Sequence, residues 1–163
     1  DSTVAAIEIL LQAATLLEVP VTISEQYVAG LGPSIKCIRA AAPSAVCMEK
    51  YNFSCAANTA IAERVNLLAE NENRNHLIIA GVEAHICVLL TALDFSHGGL
   101  QTHLVAEAID SRDNQDVEEA LYTARSSGIA AWPLETILFG WCHSSLHPQF
   151  KSVSTLIRHR TRS

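Results

Sequence analysis

Short apolar runs alternate with amphipathic helical segments along nearly the whole chain, and this alternation constrains the fold more than any other feature of the sequence. The clearest unit is NHLIIAGVEAHICVLLTALDF, residues 75–95. Its apolar run, Leu77 to Ala80, stops at Gly81, and a helical pattern follows directly. A continuous run of that length predicts a strand, His76–Val82, buried on both faces. A helix is then expected from Ala84 to about Ser96, with Cys87 in or near its first turn.

The same alternation extends to both sides. Val4, Ile7, Leu10, Leu11, Ala14 and Leu17 keep helical spacing, and Asp1, Ser2 or Thr3 is the candidate cap. Val19–Ser24 and Ala45–Glu49 predict short strands, the second ending at Lys50. Between them EQYVAGLGPS predicts a glycine-rich loop, and its Gly30 and Gly32 do not make the phosphate-binding G-x-G-x-x-G. Thr59–Glu70 predicts a helix with Ile61, Val65 and Leu68 on one stripe. Further along, strands are expected at Gln101–Glu107 and Ile129–Trp132, with a helix at Gln115–Ser126 between them. A short helix starts at Leu134, and an amphipathic segment runs from Gln149 to Arg158. Helix and strand alternating with short turns give an α/β fold. The expected architecture is a three-layer, doubly wound, mostly parallel sheet, with right-handed crossovers placing helices on both faces.

In such sheets ligands bind beyond the C-terminal ends of the strands. Glu25 falls there after the first strand, Lys50 after the second and Cys87 after the third. A thiol at a helix N-terminus is made more acidic by the unpaired N–H groups around it, and a nearby ammonium adds to the effect. Cys87 is therefore a candidate nucleophile, with backbone N–H groups of the Gly81–Cys87 turn as an oxyanion site. The plain alternative is a small, buried helix cysteine. For Lys50 the alternative is a solvated strand-end lysine.

Composition excludes several classes. Apolar residues make up 49% and charged residues 17%, a globular and not a disordered balance. The net charge of −6 argues against a nucleic-acid partner, which calls for a basic face. No run approaches the ~18 apolar residues of a membrane span. The five cysteines, Cys37, Cys47, Cys55, Cys87 and Cys142, are odd in number and form no C-x-x-C pair. Reduced thiols and a cytoplasmic setting are expected, with an organelle address left open. The seven histidines form no metal motif, so no metal and no cofactor are expected. His76, His103 and His159 are read as surface or strand residues without special duty, and the basic tail RHRTRS as a frayed end.

The residues also carry a resemblance. GVEAHICVLLTALDF resembles the nucleophile motif of the isochorismatase-like cysteine hydrolases. EKYNFSC resembles their lysine motif, and LLEVPVTISEQYVAGLGPS the stretch after their first helix. The likeness is closest to the isochorismatase domain-containing proteins, and it extends to IDSRDNQDVEEALYTARSSGIAAWPLET and HPQFKSVSTLIR. It implies one isochorismatase-like domain over residues 1–163, with a small-molecule substrate and assembly into dimers or larger rings. Either Phe150, Val153, Leu156 and Ile157 pack across a subunit contact, or they cover their own sheet.

The resemblance also implies a catalytic Asp, Lys and Cys, with Lys50 and Cys87 in the last two places. It implies a cis peptide at Val82–Glu83 and an oxyanion hole from the amides of Glu83 and Cys87. Glu25, Gln26, Tyr27 and His85 are candidates for the pocket. Residues two apart on a helix do not face each other, so no Cys87–His85 dyad is expected. Tyr27 and Trp132 are read as pocket walls or as core.

In the family the Asp ends a first, central strand, and here no apolar strand precedes the first helix. Asp1 is therefore not given that role. An N-terminally incomplete domain is expected, with a gap between the halves of its sheet. The expected activity is hydrolysis of a small amide or related C–N bond. A catalytically inactive interaction module of the same fold is the alternative.

Overall fold

The computed structural model describes residues 2–158. Asp1 as a helix cap, His159 and the basic tail after Arg158 lie outside them. The first helix, α1 (Ser2–Leu16), leads through a turn to β1 (Thr22–Gln26). Two short helices follow, α2 (Val28–Leu31) and α3 (Lys36–Ala41), and then β2 (Val46–Lys50). A 3-10 turn at Cys55–Ala57 precedes α4 (Thr59–Asn71), which leads to β3 (His76–Val82). A π-helical turn, Ala84–Val88, runs into α5 (Leu89–His97). The chain closes with β4 (Gln101–Asp110), α6 (Asn114–Ser126), β5 (Ala130–Trp132), α7 (Leu134–Cys142) and α8 (Phe150–Arg158).

All strand pairing is parallel, as the alternation predicts. The strands form two sheets, β1–β2 and β3–β4–β5, and among the described residues no strand joins them. Leu104 and Val105, neighbours on β4, are both fully buried. Adjacent strand residues point to opposite faces, so two cores meet at this strand. On the Val105 side lie Ala6, Leu10 and Ala13 of α1, Leu134 and Leu138 of α7 and Val153 of α8. On the Leu104 side lie Val88 and Ala92 with Ala120 and Ala124 of α6. Leu156 and Ile157 pack against the first cluster, so this part of α8 covers its own sheet.

Several boundaries differ from the sequence reading. The first strand is Thr22–Gln26, not Val19–Ser24. Glu18 turns left-handed and Val19 N–H bonds back to Ala14 O at 2.8 Å, which spends Val19 on ending α1. Pro20 has no N–H to give, and the ladder starts where Thr22 meets Val46. The segment read as a loop holds α2 and α3, and α3 packs Ala41 against Leu11 of α1. β4 runs on past Glu107 to Asp110, because Gly81 and Val82 pair with Ile109 and Asp110 after a register shift. β3 packs on both faces, Ile78 and Ala80 against the first cluster and Ile79 against the second, but among the described residues it pairs only with β4, and beside that open edge Leu77 to Gly81 stay partly exposed.

Candidate active site

Lys50 ends β2 and is only 2% exposed, so its ammonium must find partners inside the protein. It donates to Gln26 Oε1 at 2.6 Å, to Phe53 O at 2.8 Å and to Asn52 O at 3.0 Å. Those three acceptors match the three N–H bonds of an ammonium. Cys87 Sγ lies 3.7 Å from the same nitrogen. Gln26 stands beside Lys50 in the β1–β2 ladder, and its Nε2 donates to Tyr51 O at 2.8 Å. That bond fixes which end of the amide faces the lysine. Among the described residues no carboxylate pairs with Lys50.

Cys87 is half-buried in the π-helical turn after β3. The turn begins at Gly81, whose φ of 126° lies where side chains are rarely tolerated. The Val82–Glu83 peptide bond is cis. The Glu83 carbonyl accepts the N–H groups of Ile86 and Val88, both at 3.2 Å, one on each side of Cys87. The Glu83 carboxylate turns away to Arg112, accepting its backbone N–H at 3.1 Å and standing 3.5 Å from its guanidinium.

The remaining candidates divide. Gln26 joins Lys50 directly, whereas Glu25, one residue earlier, points to the opposite face of its strand. Its Oε1 accepts Ser34 N–H at 2.8 Å, and that bond, helped by Arg39, holds the carboxyl below its ordinary pKa against an opposing effect of burial. Glu49, its ladder neighbour, accepts Val28 N–H at 2.8 Å. Both carboxylates thus fasten the α2 segment. Tyr27 is left-handed and exposed, with its ring 5.9 Å from that of Tyr51.

His85 does not face Cys87. Its Nδ1 is 2.9 Å from Ser111 Oγ and its Nε2 3.6 Å from Asp116. Trp132, read as pocket wall or core, is not core: it is 43% exposed and donates to His103 Nδ1 at 3.2 Å. His103 in turn lies 3.0 Å from His76 Nδ1, so these two histidines form a pair that scattered spacing did not reveal. Cys142 is buried, which raises its thiol pKa, and Cys55 donates its backbone N–H to Thr91 Oγ1 at 2.9 Å. Among the described residues no three His, Cys, Asp or Glu side chains gather as metal ligands would.

Sequence reasoning missed Ser111 and the carbonyls of Asn52 and Phe53. The signal for Ser111 was the D-S-R-D turn opening α6, where Asp113 accepts Gln115 N–H at 2.9 Å. The carbonyls leave no trace in side-chain identity.

Comparison with known proteins gives a consistent picture. The profile of the isochorismatase domain family matches residues 1–136. Isochorismatase domain-containing protein 2A of Mus musculus is 32% identical over 149 residues, covering 91% of this chain and 69% of that protein. The structure of MAR1 ribonuclease from Caenorhabditis elegans superposes with a TM-score of 0.88 at 29% identity, covering 99% of this chain and 81% of that one. The YcaC product of Escherichia coli, described as an octameric hydrolase of unknown specificity, shares the fold. Its TM-score is 0.88 at 18% identity, over 99% of this chain and 78% of that one.

Proposed function

The chain belongs to the isochorismatase family, and on that premise we propose that it is a cysteine hydrolase acting on a small amide or related C–N bond. The observation that carries this reading is the 3.7 Å approach of Lys50 Nζ to Cys87 Sγ. Among the described residues no carboxylate faces this buried ammonium, and a thiolate at Cys87 supplies a counter-charge beside it. Lys50 acts as a fixed positive charge, because its N–H bonds are already spent on Gln26, Asn52 and Phe53.

The thiolate attacks the carbonyl carbon. An S–C bond forms, and the π electrons move onto oxygen. The amides of Glu83 and Cys87 receive that oxyanion, each such donor contributing a few kcal/mol. Collapse breaks the C–N bond and expels the amine, which takes its proton from a water molecule. Water then attacks the thioester, releasing the acid and restoring the thiol. Assembly of several copies, as described for the octameric bacterial relative, is part of the same proposal.

A second reading has its own observation. Neither Lys50 nor Cys87 contacts a carboxylate among the described residues, as in a module that keeps the fold without the reaction. Intact-mass measurement with acrylamide separates the two. Selective addition at Cys87 that disappears in Lys50→Ala supports the hydrolase. Slow, indiscriminate labelling of several cysteines supports the module. The worm relative is described as a ribonuclease. With a net charge of −6, this chain is expected not to bind RNA at physiological salt, and saturable binding in a filter assay would reopen that question.

A further inference from the structure

We propose that Ser111 is a positioning residue for the nucleophile turn, a role that rests on the hydrolase reading of Cys87. Ser111 Oγ accepts the N–H of Ala84 at 3.0 Å and stands 2.9 Å from His85 Nδ1. The N–H of Ala84 and the carbonyl of Glu83 belong to one planar peptide group. Ser111 therefore holds one end of that plane. The N–H groups of Ile86 and Val88 hold the other end, where Glu83 O accepts them. Fixing this plane fixes the direction of the turn on both sides of Cys87.

Ser111 is itself held from behind. Asp110 Oδ1 accepts Ser111 N–H at 2.8 Å, and Asp110 Oδ2 accepts the Thr3 hydroxyl at 2.9 Å. Arg112, next in sequence, adds the second grip through the Glu83 carboxylate. The turn between β4 and α6 thus clamps Glu83–His85 by several side-chain bonds, and α1 braces it through Thr3.

The hydroxyl has one proton to give and two lone pairs. With the Ala84 N–H on one lone pair, a proton and a second lone pair remain to meet His85 Nδ1, and His85 Nε2 lies 3.6 Å from Asp116 Oδ2. Hydroxyl, imidazole and carboxylate stand in the order of a hydrolytic triad. Here the oxygen is spent on a backbone amide, so the set orients the turn and does not attack substrate.

The test compares Ser111→Ala and Ser111→Thr with the parent by acrylamide labelling at neutral pH. Cys47, exposed and remote from the turn in the ladder, serves as the internal reference. Ser111→Ala is expected to slow Cys87 relative to Cys47 by about tenfold, as misplaced reacting groups do. Ser111→Thr, which keeps the hydroxyl, is expected to restore the parent ratio. An unchanged ratio in Ser111→Ala overturns the proposal. Should Ser111→Ala not fold, Asp116→Asn takes its place: a slower Cys87 supports the chain of contacts, and an unchanged one overturns it.

Failure of the hydrolase reading is distinguishable, because it appears in the parent as a Cys87 no faster than Cys47. Hydrogen exchange on a peptide spanning 82–88 then judges the clamp alone. Protection lost in Ser111→Ala and kept in Ser111→Thr supports it, and equal exchange in all three proteins overturns it.

Discussion

Gln26 and Lys50 face each other across the β1–β2 ladder, and the amide oxygen of the first accepts from the ammonium of the second at 2.6 Å. Lys50 is held in turn 3.7 Å from the sulfur of Cys87, thirty-seven residues further along the chain. The approach of charge to thiol is thus set by a neutral side chain on the neighbouring strand.

Replacing Gln26 should therefore act on Cys87 without touching it. In Gln26→Leu, Lys50 loses one of its three oxygen acceptors inside the protein. A lost hydrogen bond to a charged group costs about 1.5–3 kcal/mol. Urea unfolding should show a lower midpoint, and acrylamide labelling of Cys87 should slow as the ammonium shifts. Unchanged stability and unchanged labelling together would show that Gln26 does not position Lys50.

Gly81→Ala should destabilise the protein although nothing obstructs the added methyl. Beyond the glycine and its two chain neighbours no atom lies within 4 Å of the position its Cβ would take, so packing is not the cause. The cost is the backbone, held at a φ of 126°, and is about 1–3 kcal/mol. Thermal unfolding measures it. A neutral substitution would mean that the turn before Cys87 relaxes freely.

The double core at β4 gives a contrast between two leucines. Leu104→Ala empties a fully buried site and should cost about 2–5 kcal/mol. Leu146→Ala changes a residue that is 90% exposed and should stay within about 0.5 kcal/mol of the parent. Chemical denaturation of both variants checks the pair, and equal effects would contradict the burial described here.

Stability should fall as the pH is lowered through the histidine range. Burial, aided by the charge of His76, holds His103 below its ordinary pKa. Its Nδ1 already accepts from Trp132 and its Nε2 meets His76, so an added proton has no acceptor to face. Between the lowered pKa and the ordinary value the unfolded chain binds more protons than the folded one. Stability therefore rises with pH across that window and is lost on acidification. His103→Gln should flatten the slope in urea midpoints taken at several pH values. A slope that survives the substitution would assign the effect to another group.

The strand ends that carry Lys50 and Cys87 were legible because each follows a local apolar run, and parallel order alone brings such ends to one edge. The first strand was displaced because Val19 looks like a strand residue by composition, yet its N–H closes α1. Glu25 and Gln26 are neighbours in sequence and were read alike. Pleating sends one to Ser34 and the other to Lys50.

The sequence by itself determined the alternating elements, the parallel α/β class, the family and the two residues on which the chemistry is proposed to rest. These depend on periodicity and on short motifs, which are local. Only the tertiary structure decided that β4 runs on to pair Ile109 and Asp110 with Gly81 and Val82, and that Ser111 bonds to the Glu83–Ala84 peptide. Those outcomes depend on which backbone group meets which partner across 25 or more residues of intervening chain. A hydrogen bond through space leaves no periodic trace in the segments that it joins.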